Sequence, residues 1–140
     1  GRVDDVINVA GHRLSTAEME EIVASHHSVA ECAVIGINDE LKGQIPLALV
    51  VAKSGESIEH FQLQHEVVHL VREQIGAVAS LRDVVIVQRL PKTRSGKILR
   101  KMMRSIADGE QFQVPSTIDD EAIIDEIRDV LAHAKIGCFK

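Results

Sequence analysis

The chain has 140 residues and a formal net charge of −5, and 45% of its residues are apolar, which suits one ordinary domain with a core and excludes wholesale disorder. The negative charge argues against a general polyanion binder, and an aromatic content of 2% excludes the stacking platforms that bind single-stranded nucleic acid. Two distant cysteines, Cys32 and Cys138, argue against a disulfide scaffold, and no apolar run is long enough to span a membrane.

In chain order, the pattern predicts strands at 3–9 and 12–14, a helix from Ser15 to about His27, strands at 31–37 and 46–53, a helix at 59–75, a strand at 83–90, a helix at 98–107 and a last amphipathic helix capped by Thr117 or Asp119. Ser15 and Glu18 form a capping box, which marks a helix start. This order predicts an α+β fold, in which an N-terminal two-stranded hairpin precedes a sheet of about three strands packed with helices.

A short motif on the second predicted helix resembles a zinc site. His65, Glu66 and His69 match the HExxH pattern of zinc metalloproteases, in which two histidines one turn apart bind the metal and the glutamate acts as base. The extended pattern would need a histidine at Ile75, and no glutamate occurs between Glu73 and Glu110. A solvated helix face is the favoured interpretation, with a zinc hydrolase as an alternative.

Residues 92–104 are rich in positive charge. Ser95, Gly96 and Lys97 resemble the end of a phosphate-binding P-loop, but Pro91 and Ile98 occupy positions where that motif needs Gly and Ser or Thr. The cluster favours a core-packed helix with a solvated basic face, or a surface for an acidic partner or a membrane. Its basic residues are Lys92, Arg94, Lys97, Arg100, Lys101 and Arg104. Lys97 follows Gly96 on a loop expected to be flexible, from which its ammonium can reach a phosphate or carboxylate.

The opening hairpin is a second candidate for phosphate recognition. Arg2 and Arg13 flank the turn at Gly11, and two guanidiniums beside bare backbone suit phosphate binding. An ordinary hairpin with exposed arginines explains the same pattern equally well.

Two longer segments are more specific than any of these motifs. Residues 1–16 (GRVDDVINVAGHRLST) resemble the segment that opens the C-terminal domain of AMP-forming acyl-CoA synthetases. Residues 90–100 (LPKTRSGKILR) resemble the loop that carries a lysine near the C-terminus of these enzymes. Residues 31–37 and 42–44 between them are also similar, and the resemblance is closest to the acetyl- and propionyl-CoA synthetases.

The resemblance implies a two-step reaction. A carboxylate attacks the α-phosphate of ATP to give acyl-AMP and pyrophosphate, and the CoA thiol then attacks the acyl carbonyl to give thioester and AMP. In the family a small C-terminal domain rotates between the steps.

The resemblance also implies roles for individual residues. Lys97 matches the adenylation lysine, whose charge would offset that of the carboxylate and α-phosphate. Gly11 matches the glycine that lines the CoA tunnel, and Arg72 is a weaker match to an arginine near the CoA 3′-phosphate. Arg2 and Arg13 match arginines on the nucleotide side. Asp4 matches the hinge about which the domain turns.

We therefore expect residues 1–111 to form the mobile C-terminal domain of a short-chain acyl-CoA synthetase and residues 112–140 to extend it. The start at Gly1 indicates a piece of a longer polypeptide, and the isolated chain is expected to be inactive. ATP and CoA are the expected substrates, with Mg²⁺ arriving on ATP and no metal held by the chain.

The expected partners are the N-terminal adenylation domain of the same polypeptide and a lysine acyltransferase and deacylase that act on Lys97. No nucleic acid or membrane partner is expected, and the compartment is the cytoplasm or the mitochondrial matrix. A non-enzymatic module that binds through its basic helix is the main alternative.

Overall fold

The computed structural model describes residues 6–55 and 58–140. Arg2 and Asp4 lie outside these residues. The elements are β1 (Val6–Val9), β2 (His12–Ser15), α1 (Thr16–Ala24), β3 (Val29–Asp39), β4 (Gly43–Ala52), α2 (His60–Gln74), β5 (Asp83–Ile86), α3 (Arg100–Asp108) and α4 (Ala122–Ala134), with short 3₁₀ turns at Ala77–Ala79 and Gly137–Phe139. The predicted order of strands and helices is confirmed.

The strands of the described residues form one five-stranded mixed sheet. β1 pairs antiparallel with β2, β3 pairs antiparallel with β4, and β5 lies parallel to β4. The N-terminal hairpin joins the rest of the sheet through the pairing of Val9 with Gly43. The sheet is wider than the predicted three strands because this contact adds the two hairpin strands.

The β3–β4 ribbon is the longest feature of the sheet. Its pairing runs from Asp39 opposite Gly43 to Val29 opposite Ala52. One carboxylate oxygen of Asp39 accepts the backbone N–H groups of Leu41 and Lys42, which closes the turn between the strands. The predicted loop at 38–43 is therefore shorter, since its ends continue the two strands.

Side-chain alternation along the strands fills two cores, one on each face of the sheet. On β3, Ile35 packs with α3 and α4, whereas Val34 packs with α1 and α2. On β4, Leu49 packs in the core with α3 and α4, and Val50 packs in the core with α1 and α2. Because successive side chains of a strand point to opposite faces, these continuous apolar runs give a sheet covered by helices on both sides.

Hydrogen bonds and side-chain packing seat the N-terminal hairpin on the sheet. The Ala10 N–H donates to the Lys42 carbonyl at 2.8 Å, and the Asn8 N–H donates to Gln44 Oε1 at 3.0 Å. Ile7 is only 2% exposed, and its side chain lies where a Cβ on Gly36 would be. A glycine at this position of β3 lets the hairpin pack against the ribbon.

The helix caps test two local predictions. The Glu18 N–H donates to Ser15 Oγ at 3.1 Å, so the predicted start of α1 is confirmed. The predicted cap of α4 by Thr117 or Asp119 is wrong, because Asp120 Oδ1 accepts the Ala122 N–H at 3.0 Å.

In the described part of the chain, no helix is long and apolar enough to cross a bilayer.

Candidate functional site

Lys97 lies just after the turn of a small hairpin formed by residues 92–98, at the end of the hairpin that we call its tip. The Gly96 N–H donates to the Thr93 carbonyl at 2.9 Å, and the Thr93 N–H donates to the Lys97 carbonyl at the same distance. The Thr93 hydroxyl accepts the Lys97 N–H at 3.1 Å, and an isolated bridge pairs Lys92 with Ile98. Gly96 has a φ of +93°, which glycine adopts without strain.

This hairpin is fixed to the segment that precedes α4. The Arg94 N–H donates to the Thr117 carbonyl, and the Asp119 N–H donates to the Lys92 carbonyl, both at 2.9 Å. The Arg94 guanidinium also donates to the Ser116 carbonyl at 3.2 Å. The expected flexible loop is therefore wrong: backbone bonds on both sides hold Lys97 on an ordered tip.

The Lys97 side chain is exposed. It lies at the edge of an open cavity of about 770 Å³ between α3 and residues 111–115. Among residues 6–55 and 58–140, no hydrogen bond or ion pair engages its ammonium. An ammonium that the domain leaves free is available for an anion outside it.

The predicted CoA glycine lies at the turn of the other hairpin. Ala10 and Gly11 have φ angles of 51° and 86°, the left-handed pair typical of a two-residue hairpin turn. No heavy atom of the described residues lies within 4 Å of the position of a Cβ on Gly11. The backbone conformation alone favours glycine here, and the space that it leaves is open. Arg13 is exposed on β2.

Arg72 lies at the same end of the molecule as Gly11. It borders a cavity of about 220 Å³, together with Lys42 and Arg82. The Lys42 ammonium donates to Ser80 Oγ at 2.7 Å, while its carbonyl accepts the Ala10 N–H. Sequence reasoning assigned no role to Lys42 or Arg82. The signal for Lys42 was its place in the similar segment 42–44.

The structure thus separates the predicted site residues into two groups at opposite ends of the β3–β4 ribbon. Lys92, at the base of the Lys97 hairpin, bonds to Glu31 near the start of β3 at 2.8 Å, whereas the Gly11 hairpin meets the ribbon at Gly43, opposite Asp39. At about 3.3 Å per residue, the eight steps from residue 31 to residue 39 span roughly 26 Å. A single small ligand cannot contact both tips at once.

Ion pairs occupy part of the basic cluster. The Arg100 guanidinium makes a bidentate contact with Glu20 of α1, at 3.0 Å for its Nε, and the two side chains are 17% and 16% exposed. Glu20 also accepts the Val34 N–H at 3.0 Å. With Lys92 bound to Glu31, these ion pairs tie α3 and its hairpin to the fold, so Arg100 and Lys92 are not part of a solvated basic face.

The HExxH residues lie on α2, as predicted, with Glu66 already engaged. His26 Nε2 donates to Glu66 Oε1 at 2.6 Å, and Gln62 Nε2 donates to the other carboxylate oxygen at 3.0 Å. These hydrogen bonds lower the pKa of Glu66. His69 Nε2 contacts Glu73 at 2.8 Å, and both side chains are more than half exposed. A glutamate held in this way is poorly placed to act as base on a metal-bound water.

Comparison with known proteins identifies the family. Residues 18–97 match the AMP-binding enzyme C-terminal domain family. The chain is 64% identical over 137 residues to an uncharacterised protein of Pseudomonas aeruginosa and 47% identical over 135 residues to propionate–CoA ligase of Escherichia coli, with 98% and 94% of this chain and 22% of each relative covered. The chain belongs to the AMP-binding enzyme C-terminal domain family.

A solved structure supports the same assignment. The crystal structure of an acyl-CoA synthetase of Brucella canis superposes with a TM-score of 0.68 at 36% sequence identity. The superposition covers 75% of this chain and 19% of that one. The chain spans about a fifth of the length of the relatives that it matches.

Proposed function

We propose that the chain acts as the mobile C-terminal domain of an AMP-forming short-chain acyl-CoA synthetase, an acid–thiol ligase that activates acetate, propionate or a similar acid. The observation that carries this proposal is that the Lys97 hairpin and the Gly11 hairpin meet the β3–β4 ribbon at points roughly 26 Å apart along β3. A domain that presents the Lys97 hairpin in one half-reaction and the Gly11 turn in the other needs these two features on separate parts of its surface. The adenylation domain of the same polypeptide would hold ATP, its Mg²⁺ and the acid.

Lys97 serves the first half-reaction. The carboxylate oxygen attacks the α-phosphorus of ATP, the bond to the pyrophosphate oxygen breaks, and acyl-AMP forms. An ammonium at this point offsets the negative charge that two approaching anions concentrate. The ordered tip supports this role, because positioning before the reaction avoids a cost of ordering the lysine during it.

Gly11 and Arg72 serve the second half-reaction. The CoA thiol, as it loses its proton, attacks the acyl carbonyl, and AMP leaves. The open space at the Gly11 turn gives a narrow pantetheine arm room to pass. The cations around the cavity beside Arg72 suit a phosphate-bearing end of CoA, and Lys42 and Arg82 extend that set. By resemblance, Arg2 and Arg13 contribute on the nucleotide side and Asp4 is the hinge.

The extension at 112–140 supports the adenylation tip. Residues 116–119 hold the Lys97 hairpin by backbone hydrogen bonds, and α4 packs in the same core as α3. Residues 98–140 lie outside the matched family segment. We propose that the extension belongs to the same domain and fixes the position of the Lys97 hairpin.

Half-reaction assays on the intact synthetase test the role of Lys97. Lys97→Gln is expected to lower pyrophosphate-forming adenylation by about 10²–10³-fold, as for loss of one transition-state donor, while thioester formation from synthetic acyl-AMP stays within twofold. Lys101→Gln is the matched control, since this exposed lysine borders the same cavity. Equal loss of both half-reactions in Lys97→Gln would contradict the proposed role.

The reverse selectivity is expected at the other tip. Gly11→Leu should slow thioester formation from acyl-AMP and spare adenylation, because a side chain there blocks the thiol's approach. Gly55→Leu is the control, since Gly55 has a φ of +82° and the same open surroundings among the described residues. Similar loss in both variants would mean that backbone strain, and not obstruction, explains the effect.

Regulation by acylation follows from the same exposed ammonium. Acylation of Lys97 removes the charge that adenylation needs, and the lysine stands on an accessible hairpin tip. We propose that a lysine acyltransferase and a deacylase act on this side chain.

A further inference from the structure

Two ion pairs bracket Lys97 along the chain. Lys92, on the N-terminal side of Lys97, donates to Glu31 Oε2 of β3 at 2.8 Å. Arg100, on its C-terminal side, makes a bidentate contact with Glu20 of α1, at 3.0 Å for its Nε. Each side of the Lys97 hairpin is therefore joined to a carboxylate that belongs to another element of the fold.

The sheet fixes Glu20 in addition to Arg100. β3 is the last strand in the order of the sheet, and its Val34 N–H donates to Glu20 Oε2 at 3.0 Å. α1 packs in one core and α3 in the other, so the Glu20–Arg100 contact joins helices on opposite faces of the sheet. The two side chains are only 16% and 17% exposed, so salt screens their attraction weakly. Arg100 thus has a defined position relative to β3.

The Lys97 hairpin depends on such polar anchors because apolar packing holds little of it. None of residues 92–98 is buried, and in the described part of the chain only Ile98 among them packs against a core. A bridge pairs Lys92 with Ile98, and Arg100 follows closely, so both ion pairs act at the base of the hairpin. Because Lys97 directly precedes Ile98, a tilt of this base carries Lys97 with it.

We propose that Glu20 and Glu31 are positioning residues for the adenylation step. Glu20 acts through Arg100, and Glu31 acts through Lys92. This inference rests on the proposed role of Lys97. Anchors on both strands fix the direction of the hairpin, whereas a single anchor would let it tilt. Since a misplacement of about 1 Å can cost about 10²-fold in rate, loss of either anchor slows adenylation although neither glutamate touches a substrate.

Reversal of the Lys92–Glu31 pair in the intact synthetase tests the more exposed anchor. Glu31→Lys brings two ammonium groups together and is expected to lower the rate constant of pyrophosphate-forming adenylation by about tenfold. Thioester formation from synthetic acyl-AMP, and the KM for ATP, should stay within about twofold. Adding Lys92→Glu restores an ion pair of reversed polarity and should return adenylation to within about threefold of the parent. A merely structural role would lower both half-reactions together.

Glu20→Gln tests the less exposed anchor. This change removes the carboxylate that faces the Arg100 guanidinium, which is costly at a site with little exposure. A second variant therefore combines it with Arg100→Gln, so that both charges of the pair are removed. Each variant that is folded by far-UV circular dichroism should lose adenylation by about tenfold or more and keep thioester formation within about twofold.

Glu66→Gln is the matched control. Glu66 and Glu31 are each 35% exposed, and the ion-pair partner of Glu66 is His26 instead of a residue beside Lys97. Both half-reactions should stay within about twofold in this variant. A loss of adenylation as large as that of Glu31→Lys, or no recovery in the reversed pair, would overturn the positioning role.

Lys97→Gln in the same assays separates this inference from the proposed function. If Lys97→Gln spares adenylation, the proposed function fails and the positioning role fails with it. If Lys97→Gln loses adenylation selectively while the Glu20 and Glu31 variants keep it, only the positioning role is refuted.

Discussion

Replacing Gly36 by alanine tests how the hairpin that carries Gly11 is seated on the sheet. A Cβ on Gly36 would overlap Ile7 Cγ2, and it would lie 3.1 Å from Ile7 Cβ and 3.3 Å from Gln44 Nε2. Ile7 is branched at Cβ and buried, so it cannot rotate its methyl away at low cost. The hairpin must instead move off the ribbon.

The expected cost follows from two opposing terms. Overpacking a buried site costs about 1–3 kcal/mol, whereas the lower entropy of the unfolded chain with alanine returns about 0.4–1 kcal/mol. Gly36→Ala should therefore lower the free energy of unfolding by up to about 2.6 kcal/mol. Ile7→Ala alone should cost about 2–5 kcal/mol, because Ile7 is 2% exposed.

The double variant separates overlap from other effects. In the Ile7→Ala background, the methyl that Gly36→Ala adds enters vacated space, so the double variant should cost about 1–3 kcal/mol less than the sum of the single ones. Ile7→Val keeps Cγ2 and is the matched control, in which Gly36→Ala stays as costly as in the parent. Urea unfolding followed by far-UV circular dichroism measures all six chains. Additivity in the Ile7→Ala background within about 0.5 kcal/mol would refute the contact.

Two further predictions concern ionisable groups. Burial raises the pKa of Asp83, and the Asp39 carboxylate adds to that rise, so the folded chain binds this proton more tightly and loses stability as the pH rises through the folded pKa. Asp83→Asn should thus raise the urea midpoint at neutral pH. The gain should vanish well below a pH of about 3.9, where the aspartic acid of the parent is as neutral as the asparagine of the variant. A gain that persists at this low pH would show that packing, and not charge, explains it. Burial raises the pKa of the Cys32 thiol to about 12, whereas Cys138 is exposed, so a disulfide reagent at neutral pH should label one thiol in the folded chain and two in urea. Labelling of Cys32 at the rate of Cys138 would show that its cover opens readily.

Local chemistry made part of the fold predictable. The start of α1 at Ser15 depends on a hydrogen bond between residues three apart, so the sequence contains all of it. The cap of α4 was mispredicted because Thr117 and Asp119 use their backbone groups to pair with Arg94 and Lys92, far away in sequence. No local rule shows that competition.

The candidate site was likewise predictable only where its features depend on residues close together in sequence. The positions of Lys97 and Gly11 on turns were predictable from the glycines beside or at them. The order of the Lys97 hairpin was not, because the bonds that hold it come from residues 116–119. The grouping of Arg72 with Lys42 requires α2 and the ribbon turn to meet in space, which spacing along the chain does not encode.

The length of the β3–β4 ribbon sets how far apart its two functional tips lie. Each residue pair removed from both strands would shorten that separation by about 3.3 Å, and removing two pairs would keep every side chain on its original face. Under the proposed function, a chain with a ribbon trimmed in this way would hold its lysine and its glycine turn too close together for two separate half-reactions.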